Sequence, residues 1–254
     1  EDFIVNLLHT DEGLTDPDAI PEDVESIAKP GDVWILGDHR LMCGDSTSRD
    51  DVEKLMQGSE ADLCFTSPPY AQQRDYKAGH VSDWDVLMNG VFGQAPLKLG
   101  ASILVNLGLV HAKGKVNPYW DKWLDFMAGT ERPLFAWYVW DQGTGMPGNW
   151  NGRLAPSHEF IFHFARKPGQ SNKWVEKKEA NITYHNPATF RQKDGWKKKI
   201  CSPATSLQST KISDSVIRVN RASAQTKGNH PATFPTQLCE YIYRCFAKMG
   251  DAVY

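Results

Sequence analysis

Long apolar runs are missing from this sequence. No stretch of the 254 residues approaches the about eighteen consecutive apolar positions that a membrane-spanning helix needs. The acidic start, Glu1-Asp2, has neither the basic nor the apolar region of a secretory leader. Cysteine is scarce and irregularly placed: Cys43, Cys64, Cys201, Cys239 and Cys245 are odd in number and form no C-x-x-C pair. That spacing argues against a zinc site and against a disulfide framework, and it fits a reducing cytoplasm. His80, His111, His158, His163 and His185 show no metal-ligand spacing, so no metal is expected. Internal repeats and low-complexity tracts are absent as well.

What is present is an uneven distribution of charge under a formal net charge of only -3. Residues 1–30 hold nine acids against Lys29 alone, in a Pro-containing stretch that reads as a linker. From Arg166 to Lys227 there are fourteen Lys or Arg and four acids, a local charge of +10. A long basic stretch in a near-neutral protein points to a polyanion, most simply nucleic acid. A solvated lysine-rich surface is the competing explanation, and charge alone does not separate the two.

The patterning predicts an α/β sandwich with a largely parallel sheet. Val33 to Leu36 and Arg40 to Cys43 flank Gly37-Asp38-His39 as a hairpin, and Ser48 to Gln57 reads as a short capped helix. Ala61 to Thr66, Ser102 to Leu107, Leu134 to Trp140 and Glu159 to Ala165 are apolar strands. Helices are expected at Trp84 to Leu99, Tyr119 to Gly129 and Pro235 to Lys248. Gly143 to Gly152 reads as a flexible loop near the active site. Trp137, Tyr138 and Trp140 suit a pocket wall or a core equally well. His158-Glu159 could line a pocket, although a structural role is the commoner one.

One strand runs directly into Ser67-Pro68-Pro69-Tyr70. Adjacent prolines fix φ near about −65° at two positions and remove two N–H donors. They also push Ser67 out of the α region. A rigid loop results, at the edge of the sheet where open α/β folds place ligands. Its free carbonyls and adjacent aromatic plane suit an amino group on a flat heterocycle. Ser67 and the Pro68 carbonyl would accept from the amino group while Tyr70 stacks on the ring. A bare Pro-Pro-Tyr is more often a plain turn, so the surrounding motifs decide the matter.

Those motifs resemble the amino-group DNA methyltransferases of the N4-cytosine and N6-adenine type, in their permuted beta arrangement. Thr66-Ser67-Pro68-Pro69-Tyr70 resembles the family's catalytic motif, [DNS]-P-P-[YFW]. Cys43-Gly44-Asp45-Ser46 resembles the Gly-Asp strand end that precedes it, whose acid contacts the adenine moiety of the cofactor. His230-Pro231-Ala232-Thr233-Phe234-Pro235, followed by Leu238, resembles the segment that packs along that cofactor. The resemblance covers about residues 30–254, and three motifs in order are far more specific than one.

The resemblance implies a Rossmann-like S-adenosylmethionine-dependent methyltransferase sandwich with an inserted basic target-recognition region. It assigns Ser67, Pro68, Pro69 and Tyr70 to catalysis and Asp45, Ser46, Thr66, Phe234, Pro235 and Leu238 to the cofactor. Double-stranded DNA is the implied partner, with the target base flipped out. Arg191, Lys193, Lys197, Lys198, Lys199, Arg218 and Arg221 are the natural phosphate contacts. The expected organisation is a linker at 1–30, a catalytic core at 31–165, a basic region at 166–229 and a return to the core at 230–254. Serine in place of aspartate in the motif favours cytosine N4, with adenine N6 the alternative. A Cys nucleophile for ring-carbon methylation is absent from the motif, and Cys64 reads as a buried strand residue.

One departure from the family is plain. The Asp-Pro-Phe-x-Gly-x-Gly loop that should follow the last helix is not in this sequence, which closes at Val253-Tyr254. The expectation is therefore of a trimmed chain, a split protein completed by another segment or subunit, or a catalytically incomplete DNA-binding remnant. The segment Lys29-Pro30-Gly31-Asp32-Val33-Trp34 resembles linkers that join ParB-like domains to such methylases in phages and mobile elements.

Overall fold

The fold is described by a computed structural model, which covers residues 27–70, 83–145, 148–150, 152–177, 188–191, 193–194, 197–200, 209–221 and 234–254. The expected linker at 1–30 lies almost wholly outside the described residues, as do His80, His185 and the His230 to Thr233 segment.

A hairpin of β1 (Val33–Leu36) and β2 (His39–Met42) opens the described chain. Helix α1 (Arg49–Met56) follows, started by the Ser48 hydroxyl, which accepts from the Asp51 N–H. Asp50 and Asp51 in its first turn complement the positive end of the helix dipole. The next elements are β3 (Ala61–Thr66), α2 (Trp84–Gln94) and β4 (Leu97–Leu107). A small hairpin, β5 (Val110–Ala112) and β6 (Lys115–Asn117), leads to α3 (Asp121–Gly129). Then come β7 (Leu134–Asp141) and β8 (His158–Phe164). Short strands β9 (Val175–Glu176), β10 (Ala188–Arg191), β11 (Lys197–Ile200), β12 (Thr210–Lys211) and β13 (Val216–Arg218) precede α4 (Thr236–Phe246).

The central sheet has the order β13-β7-β8-β4-β3. Four of its strands point the same way, and β8 alone is reversed between β7 and β4. That reversal places the start of β8 beside the ends of β4 and β7. Beyond β3, the Phe65 N–H donates to the Tyr254 carbonyl at 3.1 Å, and the Tyr254 N–H to the Leu63 carbonyl at 2.8 Å. Leu63 and Val253 thus form a parallel bridge on the far side of β3. Both ladders of β3 are used, so it is an inner strand.

Alternation along the strands divides the core into two layers. Cys64, Ile103, Val105, Leu107, Phe162 and Phe164 pack with Trp84, Met88 and Phe92 of α2 and with Trp123 and Met127 of α3. The intervening Leu63, Leu104 and Ile161 pack with Leu238 and Ile242 of α4. A sheet covered on both faces explains the nearly continuous apolar runs of β3 and β4. The spacing Trp84, Met88, Phe92 is the one stripe that α2 must bury.

β13 joins the central sheet beside β7, so part of the basic region at 166–229 is built into the core layer. The remaining strands of that region form two separate ribbons, β9 with β12 and β10 with β11. β4 begins five residues before the expected Ser102, and α2 is correspondingly shorter than its apolar pattern implied. Pro96, which has no N–H to donate, separates the two elements.

Candidate active site

The Ser67 to Tyr70 loop leaves the end of β3 at the edge where β4 ends and β8 begins. Its geometry is set by bonds from neighbouring elements. Trp84, the first residue of α2, donates its indole N–H to the Pro69 carbonyl at 2.6 Å. The Tyr70 hydroxyl donates to Glu159 Oε2 at 2.6 Å. Asn106 Nδ2, from the buried stretch of β4, donates to both the Tyr70 oxygen and Glu159 Oε2, each at 2.6 Å. Ser67 Oγ lies 3.2 Å from the Tyr70 oxygen. Among the described residues no backbone donor is bonded to the Pro68 carbonyl.

Close approach shapes this corner. A Cβ on Gly108 would lie 2.7 Å from Tyr70 Cε2, so the ring can pass only because that side chain is absent. The Gly108 carbonyl in turn accepts from the Tyr119 hydroxyl at 3.0 Å. Burial, reinforced by the Glu159 charge, pushes the Tyr70 and Tyr119 hydroxyls well above the ordinary phenol range. Both remain protonated donors at any physiological pH. Asn106 Oδ1 is buried with no partner among the described residues, an acceptor held in reserve within the network.

The Gly44-Asp45 turn is built differently. Asp45 Oδ1 accepts from both the Thr47 N–H at 2.8 Å and the Thr47 hydroxyl at 2.7 Å. These two bonds hold its carboxyl below the usual range. With both on Oδ1, Oδ2 has no partner among the described residues and can accept from an amino or hydroxyl group of a ligand. The Asp45 N–H donates to Asp51 Oδ2 at 2.8 Å, and the Ser46 carbonyl accepts from Gln94 at the far end of α2. Helix α2 is therefore a strut with the Pro-Pro loop at its start and the Gly-Asp turn at its end.

Phe234 stacks on Phe65 of β3, with centroids 4.9 Å apart and planes 10° apart, and meets Trp140 edge-on. Thr66 is half-buried and paired with Val105. Pro235 is buried before α4, and Leu238 is wholly buried between α4 and the sheet. Leu238, expected to lie along the cofactor, packs against Leu63 and Leu104. Asp45-Ser46 sits at the end of α2, which packs on one face of the sheet, whereas Phe234 stacks on Phe65 with the layer on the other face, and no direct contact links them among the described residues.

The basic residues also separate. Arg218 is exposed, 3.8 Å from Asp141, and Lys193 is exposed in a turn. Arg191 pairs with Lys197 across the β10–β11 ladder, with Lys198 and Lys199 following; their side chains lie outside the described residues. Arg221, also expected at phosphates, makes contacts within the chain. Its guanidinium donates to Gln142 Oε1 at 2.7 Å and to the Pro156 and Thr144 carbonyls at 3.0 and 3.2 Å. It staples both ends of the glycine loop together.

Glu159 was readable as a pocket candidate, whereas Asn106 and Gly108 were not singled out. Their signal exists in hindsight: Asn106 is a lone polar residue in the run Ile103-Leu104-Val105-Asn106-Leu107. Cys64 is a buried strand residue whose thiol is pushed up to about 12 by burial, too high for a nucleophile. Trp140 belongs to the core, with its indole bonded to the Val219 carbonyl, while Trp137 stays half-exposed.

Residues 61–254 match a family of N6- and N4-methyltransferases described as DNA methylase. No curated protein matches the sequence. Among solved structures, the chain is similar to PvuII DNA methyltransferase, described as cytosine-N4-specific, at 19% identity over 79% of this chain and 69% of that one, with a TM-score of 0.49. It is also similar to M1.HpyAVI in its SAM complex, at 16% identity over 82% and 78% with a TM-score of 0.44. A third is a Thermus thermophilus protein described as a DNA modification methylase, complexed with S-adenosyl-L-methionine. It shares 19% identity over 83% and 76%, with a TM-score of 0.42.

Proposed function

The chain belongs to the DNA methylase family, and from that premise we propose that it methylates the exocyclic amino group of a base flipped out of double-stranded DNA, with cytosine N4 the favoured target. The methyl donor is S-adenosylmethionine, which supplies an electrophilic methyl on a sulfonium. Asp45 and Phe234 are the residues of the two cofactor motifs that would hold it; Asp45 sits at the end of α2 away from the Ser67 loop, and Phe234 packs with the layer on the other face of the sheet.

The single observation that carries this reading is the polarity of the Ser67 corner. Tyr70 has one hydroxyl proton, and Glu159 Oε2, an acceptor only, takes it at 2.6 Å. Ser67 must then be the donor in its contact with Tyr70, which leaves the Ser67 lone pairs outward. Those lone pairs and the Pro68 carbonyl are acceptors suited to the two hydrogens of an amino group. Held there, the amino nitrogen is oriented with its lone pair toward the donor methyl, and orientation with preorganised polar groups supplies the catalysis. Exposed Arg218 and Lys193 contact phosphates, joined by Arg191 and Lys197 to Lys199 on the β10–β11 ribbon.

Nucleoside mass spectrometry of DNA from a methylation-deficient host expressing the full natural protein tests the proposal. N4-methylcytosine is expected, lost in Ser67→Ala. N6-methyladenine instead would overturn the cytosine assignment, and no methylated base would leave a DNA-binding remnant.

A further inference from the structure

The methyl transfer proposed above leaves the target nitrogen with one proton too many, and the residues beneath Ser67 form a path for it. Ser67 Oγ, the Tyr70 hydroxyl and Glu159 Oε2 are in series at 3.2 and 2.6 Å. Every link has a defined direction. Glu159 Oε2 takes two donors, the Tyr70 hydroxyl and Asn106 Nδ2, and offers none. Asn106 Nδ2 also donates to the Tyr70 oxygen, so that oxygen has no freedom to point its proton elsewhere. Asn106 is itself wholly buried in β4, and Gly108 admits the ring at a distance no other residue permits. The corner is built from three strands, which is more than a loop needs in order to place one stacking aromatic.

We propose that Glu159 is the positioning residue of the methylation site and the final acceptor of the proton released there, acting through the Tyr70 hydroxyl and Ser67. The inference rests on the amino-methyltransferase reading above. In the transfer, the nitrogen lone pair forms the bond to the methyl carbon while the carbon–sulfur bond breaks, its electron pair going to sulfur. The surplus N–H proton passes to Ser67 Oγ, the Ser67 proton to the Tyr70 oxygen, and the Tyr70 proton to Glu159 Oε2. Serine and tyrosine end as they began, without a tyrosinate, and the carboxylate ends protonated. Asn106 keeps Tyr70 and Glu159 aligned throughout. The other titratable group facing Glu159 among the described residues is the Tyr119 hydroxyl; His158 is its exposed sequence neighbour.

The test uses the full protein with duplex DNA in single-turnover methylation. Glu159→Gln keeps the shape and an acceptor for Tyr70 but removes the basic group; Tyr70→Phe keeps the ring and removes the middle link. Each is expected to slow the chemical step on the order of 100-fold or more, the usual scale of acid–base assistance, with the DNA Kd within about threefold. The double variant should be no slower than the worse single one, because the two act as a unit. The multi-proton solvent isotope effect of the wild type should be lost in Glu159→Gln. A Glu159→Gln protein with wild-type rate and solvent isotope effect overturns the inference and leaves the methylase reading intact; a wild type that methylates no DNA overturns both. Should either variant fail to fold, a proton inventory on the wild type decides. Curvature from several protons in flight is expected, and a solvent isotope effect of about one, meaning no proton in flight, overturns the relay.

Discussion

The two halves of the proposed site are made by different means. The target-base half is assembled across strands distant in sequence, with Tyr70, Asn106 and Glu159 meeting at 2.6 Å in a largely buried corner. The Gly-Asp half is local: Asp45 is held by Thr47 two residues on and by Asp51 at the start of α1, all at the surface. A buried network gains strength from its low-dielectric surroundings and penalises any missing partner, whereas an exposed turn exchanges each lost bond for water. Substitutions in the first half should therefore be severe and cooperative, and those in the second graded and local.

The largest effect that bears on this contrast is in the shared scaffold. Leu238→Ala should cost about 2–5 kcal/mol of stability, read by denaturant unfolding, because it empties a wholly buried position. Cofactor affinity of the protein that remains folded should be unchanged, which separates a core role from a ligand role. Next is Gly108→Ala. Its Cβ would meet Tyr70 at 2.7 Å, displacing the ring. Overpacking of this kind costs on the order of 1–3 kcal/mol, and single-turnover methylation should drop far more than the melting temperature.

Acidification probes the scaffold beneath the site. His163 is buried, with Nδ1 at 2.9 Å from the Tyr138 hydroxyl, and burial lowers its pKa to about 4. The folded state thus binds fewer protons than the unfolded state between about pH 4 and the ordinary histidine value of about 6.5. This contribution to stability is complete above about pH 6.5 and is lost as pH falls toward about 4. His163→Phe should flatten the dependence of unfolding free energy on pH in that window; an unchanged slope would place the titration elsewhere. The smallest effect belongs to the exposed turn. Asp45→Asn should weaken S-adenosylmethionine binding about tenfold, the roughly 1.4 kcal/mol of one charge-assisted bond, with no change in melting temperature. A loss as cooperative as that of the Tyr70 corner, seen by calorimetry, would erase the contrast between the halves.

The legible parts of this protein were those whose signal is local. The hairpin around Gly37, the capped helix after Ser48 and the apolar strand entering Ser67 all lie where their turn residues and periodicity put them. Helix α2 was over-extended because Leu97 and Leu99 continue its apolar pattern, while Pro96 and the partner strand β3 turn them into β4. Arg221 counted as one more cation in a basic stretch. Only the fold shows its guanidinium closing the loop between Gln142 and Pro156. Leu238 followed a motif along the sequence, and helix periodicity turns it toward Leu63 and Leu104.

By itself, the sequence determined the rigidity of the Ser67-Pro68-Pro69-Tyr70 loop, because two prolines act through bonds and dihedrals that need no neighbour. It also determined the alternation of strands and helices and the placement of charge along the chain. Only the tertiary structure decided which way the Tyr70 hydroxyl points. That direction depends on Asn106 and Glu159, 36 and 89 residues further along the chain, meeting where reversed β8 starts beside the end of β4. Such a meeting is a property of strand order and register, which no local pattern encodes.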